Sequence, residues 1–284
     1  MSFRDYTEII FAGGEILSAQ MLEETYRYPR EFLHIYHAAA SDGIVAGLDF
    51  QVEHGDVHLT PGIVKMDGKY YILPESVPMD AWIRQRQTPL QPSVEYFLCL
   101  VAEDVRTSEE AVGGISSRSR LTLQAERAKS DHALLLGKYK YRPDVKISLP
   151  KLKPESKEPF AEFAQASFLQ LLDCEYAHRQ GGTTYHPLIF RAIQSYLEQK
   201  AVLSPYDFSL LQEVQNHGIV AVSTLQAYVA ASRKVSAASL QMTRENLFKA
   251  LAQCVQESYS PVAYPAPPPA EEQVVRAKRQ SKLI

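Results

Sequence analysis

The eight histidines of this 284-residue chain are the first residues to test for chemistry, because spacing decides whether they can hold a metal or pass a proton. His34 and His37 stand three apart on a helix-patterned stretch, His54 and His58 flank a turn, and His178 and His186 flank Gly181-Gly182. None of these pairs follows the HExxH pattern and no CxxC occurs, so no metal site is expected. Cys99, Cys174 and Cys254 are far apart and odd in number, which fits reduced core thiols in a cytosolic protein. Ser130, Asp131 and His132 are sequence neighbours, whereas a catalytic triad is assembled from distant positions. There is no GxSxG elbow and no glycine loop of the GxxxxGK[ST] or GxGxxG kind. The acid pairs Glu23-Glu24 and Glu109-Glu110 read as exposed, since general acid–base work needs a cleft. Gly13-Gly14, Gly113-Gly114 and Gly181-Gly182 fall at element boundaries, where turn formation explains them. No catalytic residue, cofactor or metal is expected, and an unrecognised hydrolase in the β region stands as the enzymatic rival.

Composition narrows the partners. With 45% hydrophobic and 22% charged residues, the chain is an ordinary globular protein with room for a substantial core. Its net charge of −3 offers no basic face to a nucleic acid. No apolar run approaches a membrane span. The first fifteen residues carry acids and lack an apolar signal region, so a cytoplasmic location is expected.

Residues 42–74 organise the first half. Leu48, Phe50 and Val52 alternate with Asp49, Gln51 and Glu53, which predicts a strand with one face on a core. His54-Gly55-Asp56, Pro61-Gly62 and Asp67-Gly68 are reversals, the last a hairpin signal, and Pro74 stops the strand of Tyr70, Ile72 and Leu73. Upstream, residues 15–37 read as a helix, a break at Pro29, and a second helix. Downstream, 77–82 reads as a strand, 94–102 as a strand covered on both faces, 107–120 as a long surface loop, 121–123 and 132–141 as strands, and 144–149 as a short closing strand. Seven or eight strands over about 110 residues have the spacing of a sandwich.

Residues 150–158 have the composition of a linker, after which the period changes from two to about 3.6. Phe160, Phe163, Ala164, Ser167, Leu171 and Cys174 follow helical spacing up to Gly181-Gly182. Residues 186–200 read as a second helix begun by Pro187. Ser204, Pro205 and Asp207 give a third a cap, a first-turn proline and a near capping box, and Gly218 ends it. Residues 219–234 and 236–258 supply a fourth and a fifth. The predicted fold class is therefore α+β: an antiparallel β-sandwich with leading helices over 1–152, an all-helical bundle over 153–258, and a disordered proline-rich tail over 259–284 with a basic end. The tail is either solvated or a docking peptide for a neighbour. Among the sixteen tyrosines, Tyr26, Tyr28, Tyr36, Tyr139 and Tyr141 are of the amphipathic type that interfaces favour, with sandwich-edge packing as the alternative.

The order of these elements resembles a known family. The run GGEILSAQMLEETYRY, a Gly-x-x-x-Gly-Leu strand, a strand into Pro-Gly, and Asp-Gly before ILP are similar to the N-terminal shoulder of TssK, the type VI secretion baseplate protein. Glu15, Leu17 and Gln20 correspond to the family's early helix, and Asp67-Gly68 with Pro74 to its turn and exit. Residues 132–152 resemble the passage before the family's stem, and the shoulder is also similar to the N-terminal domain of phage receptor-binding proteins. The likeness covers residues 8–152. It implies a non-enzymatic structural subunit of a contractile injection baseplate, homotrimeric through its stem and attached by its shoulder to wedge proteins. Candidate stem-interface residues are Phe163, Phe168, Leu171, Leu172, Phe190 and Ile193, with the chain's own helical core as the alternative for each. A phage tail adaptor or a receptor-binding protein that recognises the cell surface is the second reading. The family's proteins are longer and end in a compact head that meets the membrane complex, whereas this chain ends in the tail.

Overall fold

A computed structural model describes residues 18–86, 89–107, 114–126, 133–178, 182–236 and 242–257. These residues form a mixed α/β structure of three sheets and six α-helices, and none of the sheets closes into a barrel.

Helix α1 (Ala19–Tyr36) is capped by Ser18, whose side chain accepts from the Met21 N–H at 3.2 Å. It runs unbroken through Pro29, where a break was expected. Proline withdraws a single amide from the helical ladder, and at this exposed position water can satisfy the carbonyl left free.

Strands β1 (Gly43–Gly47), β2 (Phe50–Glu53), β3 (Asp56–Leu59), β4 (Gly62–Met66) and β5 (Lys69–Leu73) follow in quick succession. The turns between them are those the sequence predicts. His54 and Gly55 (φ 51° and 84°) close β2 on β3, and Asp67 and Gly68 (φ 49° and 69°) close β4 on β5. Positive φ at both central positions is the type I′ geometry whose twist matches a hairpin. Leu48 and Phe50 are buried as expected, but Val52 is 56% exposed. Leu48 stands outside the strand at φ 52°, and β2 lies at the edge of its sheet.

The expected strand at 77–82 is a two-residue strand, β6 (Val77–Pro78), followed by helix α2 (Met79–Arg84). Strand β7 (Glu95–Thr107) lies between β8 (Gly114–Gln124) and β9 (Ala133–Lys140). Most of the loop expected at 107–120 is therefore strand, paired with β7 as far as Thr107 opposite Gly114. Its polar sequence misled because β8 is an edge strand, and an edge strand need not alternate apolar residues. The closing strand expected at 144–149 does not form.

The largest difference is the helix expected over 160–174. Only one tight helical turn forms (Ala161–Ala164), and the chain then passes through two turns, closed by the Phe168 N–H to the Gln165 carbonyl and the Cys174 N–H to the Leu171 carbonyl, before β10 (Tyr176–Ala177) and β11 (Thr183–Thr184). β10 pairs parallel to β1 through Ile44 and Tyr176, giving the sheet order β11-β10-β1-β4-β5; the other sheets run β2-β3-β6 and β8-β7-β9. The apolar residues that mimic helical spacing serve two cores instead. Leu169, Leu171, Cys174 and Tyr176 pack with the strands, while Phe160, Phe163 and Leu172 pack with the helices.

Helices α3 (Pro187–Glu198), α4 (Pro205–His217), α5 (Val222–Arg233) and α6 (Arg244–Glu257) complete the chain. For α4 the capping box, first-turn proline and left-handed Gly218 stop are all present. Residues 1–17, with Glu15 and Leu17 of the expected first helix, and residues 258–284, with the expected tail, lie outside the described residues.

Candidate interaction surface

Among the described residues no three histidines, cysteines or acids are grouped to hold a metal ion. The three cysteines are buried and unbridged, and burial pushes the Cys174 thiol far up, which makes it inert. Ser130, Asp131, His132, Glu109 and Glu110 lie outside the described residues. His54 sits in a turn, and His58 lies 3.7 Å from Glu53.

His186 is different. It is fully buried, and its Nδ1 accepts the Leu188 N–H at 3.0 Å to cap α3. With Nδ1 occupied as an acceptor, the neutral ring carries its proton on Nε2. That atom lies 3.4 Å from Asp49 Oδ1. Burial, and then the nearby Arg191, lowers the imidazole pKa to about 3. Arg191 closes the group by donating to both Asp49 oxygens, at 2.9 and 2.6 Å. The Tyr176 ring stands edge-on to His186, and its hydroxyl donates to the Leu48 carbonyl at 2.9 Å. A loop of the strand region is thus fastened to the first turns of α3. By sequence Asp49 falls on a solvent face, and His186 is one of a histidine pair without a metal pattern and the start of a helix; for Asp49 and Arg191, 142 positions apart, there is no local signal.

A second joint centres on Arg244. Its guanidinium donates to the carbonyls of Leu172 (2.8 Å), Cys174 (2.9 Å) and Thr184 (2.6 Å) and to Thr183 Oγ1 (3.0 Å). The turn at 171–174 and β11 are thereby tied to the start of α6. These joints position the elements they connect.

The six candidate stem residues fall into place around the joints. Phe163, Leu172, Phe190 and Ile193 are buried in the helical core and Leu171 in the strand core, while Phe168 is half-buried. Large exposed apolar side chains gather instead on α1, where Leu22, Tyr28, Phe32, Ile35 and Tyr36 reach solvent. Tyr28, Phe32 and Tyr36 are spaced by four and stack along one face, with centroids 6.4 and 5.8 Å apart. Helical spacing brings i and i+4 rings together, and such a stripe has the composition of an interface. Of the tyrosines read as interface residues, Tyr28 and Tyr36 are on this stripe; Tyr139 is buried and Tyr141 half-buried.

No protein-family model and no curated protein matches the chain. Three solved structures align with most of it. A cryo-electron microscopy structure of the type VI secretion TssK–TssF–TssG baseplate subcomplex is 14% identical over 89% of this chain and 98% of the other, with a TM-score of 0.32. A crystal structure of TssK is 13% identical over 89% of this chain and 72% of the other, with a TM-score of 0.36. A structure of the type VI secretion baseplate complex is 11% identical over 90% and 99%, with a TM-score of 0.35. At these TM-scores the likeness by itself fixes neither fold nor role.

Proposed function

We propose that the chain is a non-enzymatic structural subunit of a contractile injection baseplate of the type VI secretion kind. One observation carries the reading: the stretch with the shoulder motif folds as short antiparallel strands divided between two sheets, with Asp67-Gly68 at the β4–β5 hairpin turn and Pro74 just past the end of β5. The aromatic stripe on α1 supports a role in protein contact. In this reading residues 1–152 are a sandwich shoulder that meets wedge proteins, 153–258 a helical stem, and 259–284 a tail available to a neighbour. The assembly is a cytoplasmic homotrimer with cyclic symmetry. With five of the six stem side chains in the chain's own core, the stem contact falls to Phe168 and the surface around it. Among the described residues no helix is long and apolar enough to cross a membrane, so membrane insertion has no part in the reading.

The test is co-expression with the wedge proteins encoded beside its gene. Copurification at a fixed ratio through size exclusion is the expected result. A gene with no sheath, tube or wedge neighbours, or a chain that leaves such partners in the column, overturns it.

A further inference from the structure

Helix α1 is rooted at its C-terminal end. The buried Lys65 ammonium donates to the carbonyls of His37 (3.1 Å) and Ala40 (2.7 Å), just past the last turn. Along the helix itself no described side chain is buried, and none belongs to either core of the chain. Phe32 is 53% and Ile35 68% exposed. A helix of 18 residues is marginal in water on its own, and an amphipathic one is stabilised mainly by whatever covers its apolar face.

The residues of α1 are sorted by face. Met21, Thr25, Tyr28, Phe32 and Ile35 recur at alternating steps of four and three, which are the a and d positions of a heptad seam. Leu22 and Tyr36 stand beside that seam at e and Glu31 at g, while Glu23, Arg27, Arg30 and His34 lie on the far side. An apolar sector of a, d and e is wider than a two-stranded seam and suits a helix that meets two neighbours. The far side carries both signs, with Glu23 and Arg27 paired at 2.9 Å, unlike the Lys/Arg-rich face of a helix that lies on a membrane. Charge also decides direction. In an antiparallel pair centred on Phe32, Glu31 meets Glu31 of the second copy, a like-charge contact. In a parallel arrangement each g residue meets the e residue of the next heptad in its neighbour, which sets the Glu31 carboxylate beside the Tyr36 hydroxyl. A carboxylate accepts several donors, and a tyrosine hydroxyl is one.

We propose that α1 joins copies of this chain: three α1 helices pack in parallel about a threefold axis, with Tyr28, Phe32 and Ile35 facing the axis and Glu31 of each copy accepting from Tyr36 of the next. Cyclic symmetry makes each such contact heterologous and closes the ring. The number three rests on the baseplate reading; the parallel contact rests on α1 itself.

The experiment combines cross-linking with mass measurement on the full chain. In a parallel bundle Ile35→Cys stands opposite itself and forms an interchain disulfide on mild oxidation, seen as a band at twice 31.9 kDa without reductant, whereas Arg30→Cys on the far side does not. The native cysteines are buried and stay out of the reaction. Light scattering of the double variant Phe32→Glu, Ile35→Glu gives one third of the wild-type mass, with circular dichroism melting to show that the rest of the fold is kept. A wild-type monomer, a trimer that survives the double substitution, or equal cross-linking of the two cysteine variants overturns the proposal. So does a monomer in which the double substitution abolishes binding of a wedge protein, which assigns the face to that protein instead. Copurification with wedge proteins tests the baseplate reading separately. A trimer held by α1 that ignores wedge proteins removes that reading and keeps this contact; wedge binding by a trimer indifferent to α1 does the reverse.

Discussion

The guanidinium of Arg244 lies 4.8 Å over the ring of Tyr185, and the Tyr185 hydroxyl donates to the Arg244 carbonyl at 2.6 Å. Each residue thus holds the other, and Arg244 also serves three carbonyls, two in the turn at 171–174 and one in β11. Arg244→Ala leaves those carbonyls without their donor and removes the cation from the ring. We expect a loss of about 3–5 kcal/mol, measured as the shift in urea midpoint. Arg244→Lys recovers only part of it, because an ammonium cannot reach several carbonyls with a planar fork.

Gly47 and Gly62 are opposite each other in the β1–β4 pairing. A Cβ on Gly47 would lie 2.0 Å from the Pro61 oxygen, and one on Gly62 would lie 2.4 Å from the Leu48 nitrogen. Gly47 also sits at φ 63°. Gly47→Ala is expected to cost more than about 3 kcal/mol, since strain and backbone overlap add. Gly218→Ala, at φ 72° with open space around it, costs about 1 kcal/mol. Thermal unfolding of the two variants side by side checks the difference.

His186 makes stability depend on pH in a defined direction. Its folded pKa is lowered to about 3, against roughly 6.5 when unfolded. Between those values the unfolded chain binds the extra proton, so stability is full above pH ~6.5 and falls as the pH drops toward ~3. The burial of His178, which lowers its pKa as well, adds to the same limb. His186→Asn keeps a capping side chain and is expected to flatten the fall, seen by comparing urea midpoints at about pH 5 and 7. An unchanged slope contradicts this account of His186.

Asp207 joins the capping box of α4 to a buried polar cluster. It caps with Ser204, accepts from the Tyr228 hydroxyl at 2.6 Å, and lies 3.5 Å from the Lys200 ammonium. Asp207→Ala removes the acid beside Lys200, which keeps the Val255 carbonyl and the Tyr196 ring, and the acceptor of the Tyr228 hydroxyl, and is expected to cost about 3 kcal/mol. Asp207→Asn retains a cap and costs less. Hydrogen exchange at the first amides of α4 distinguishes loss of the cap from loss of the cluster.

What could be read from sequence is what depends on near neighbours. Ser204, Pro205, Asp207 and Gly218 specify α4 within fifteen residues, and Asp67-Gly68 specifies its hairpin through two φ angles. Residues 160–174 imitate a helical stripe because their apolar side chains serve two cores, Leu171 in one and Leu172 in the other, while the backbone is a succession of separate turns. The Asp49–Arg191 clasp and the Arg244 joint were invisible because each needs segments 60 or more positions apart. Val52 looked like a core residue by alternation alone. Only the sheet order shows that its strand is an edge.

The most direct test of the central claim is the solution mass of the full chain, by light scattering after size exclusion at several concentrations. A structural baseplate subunit of the proposed kind is a stable trimer, three times 31.9 kDa, across the range. A strict monomer at every concentration contradicts it.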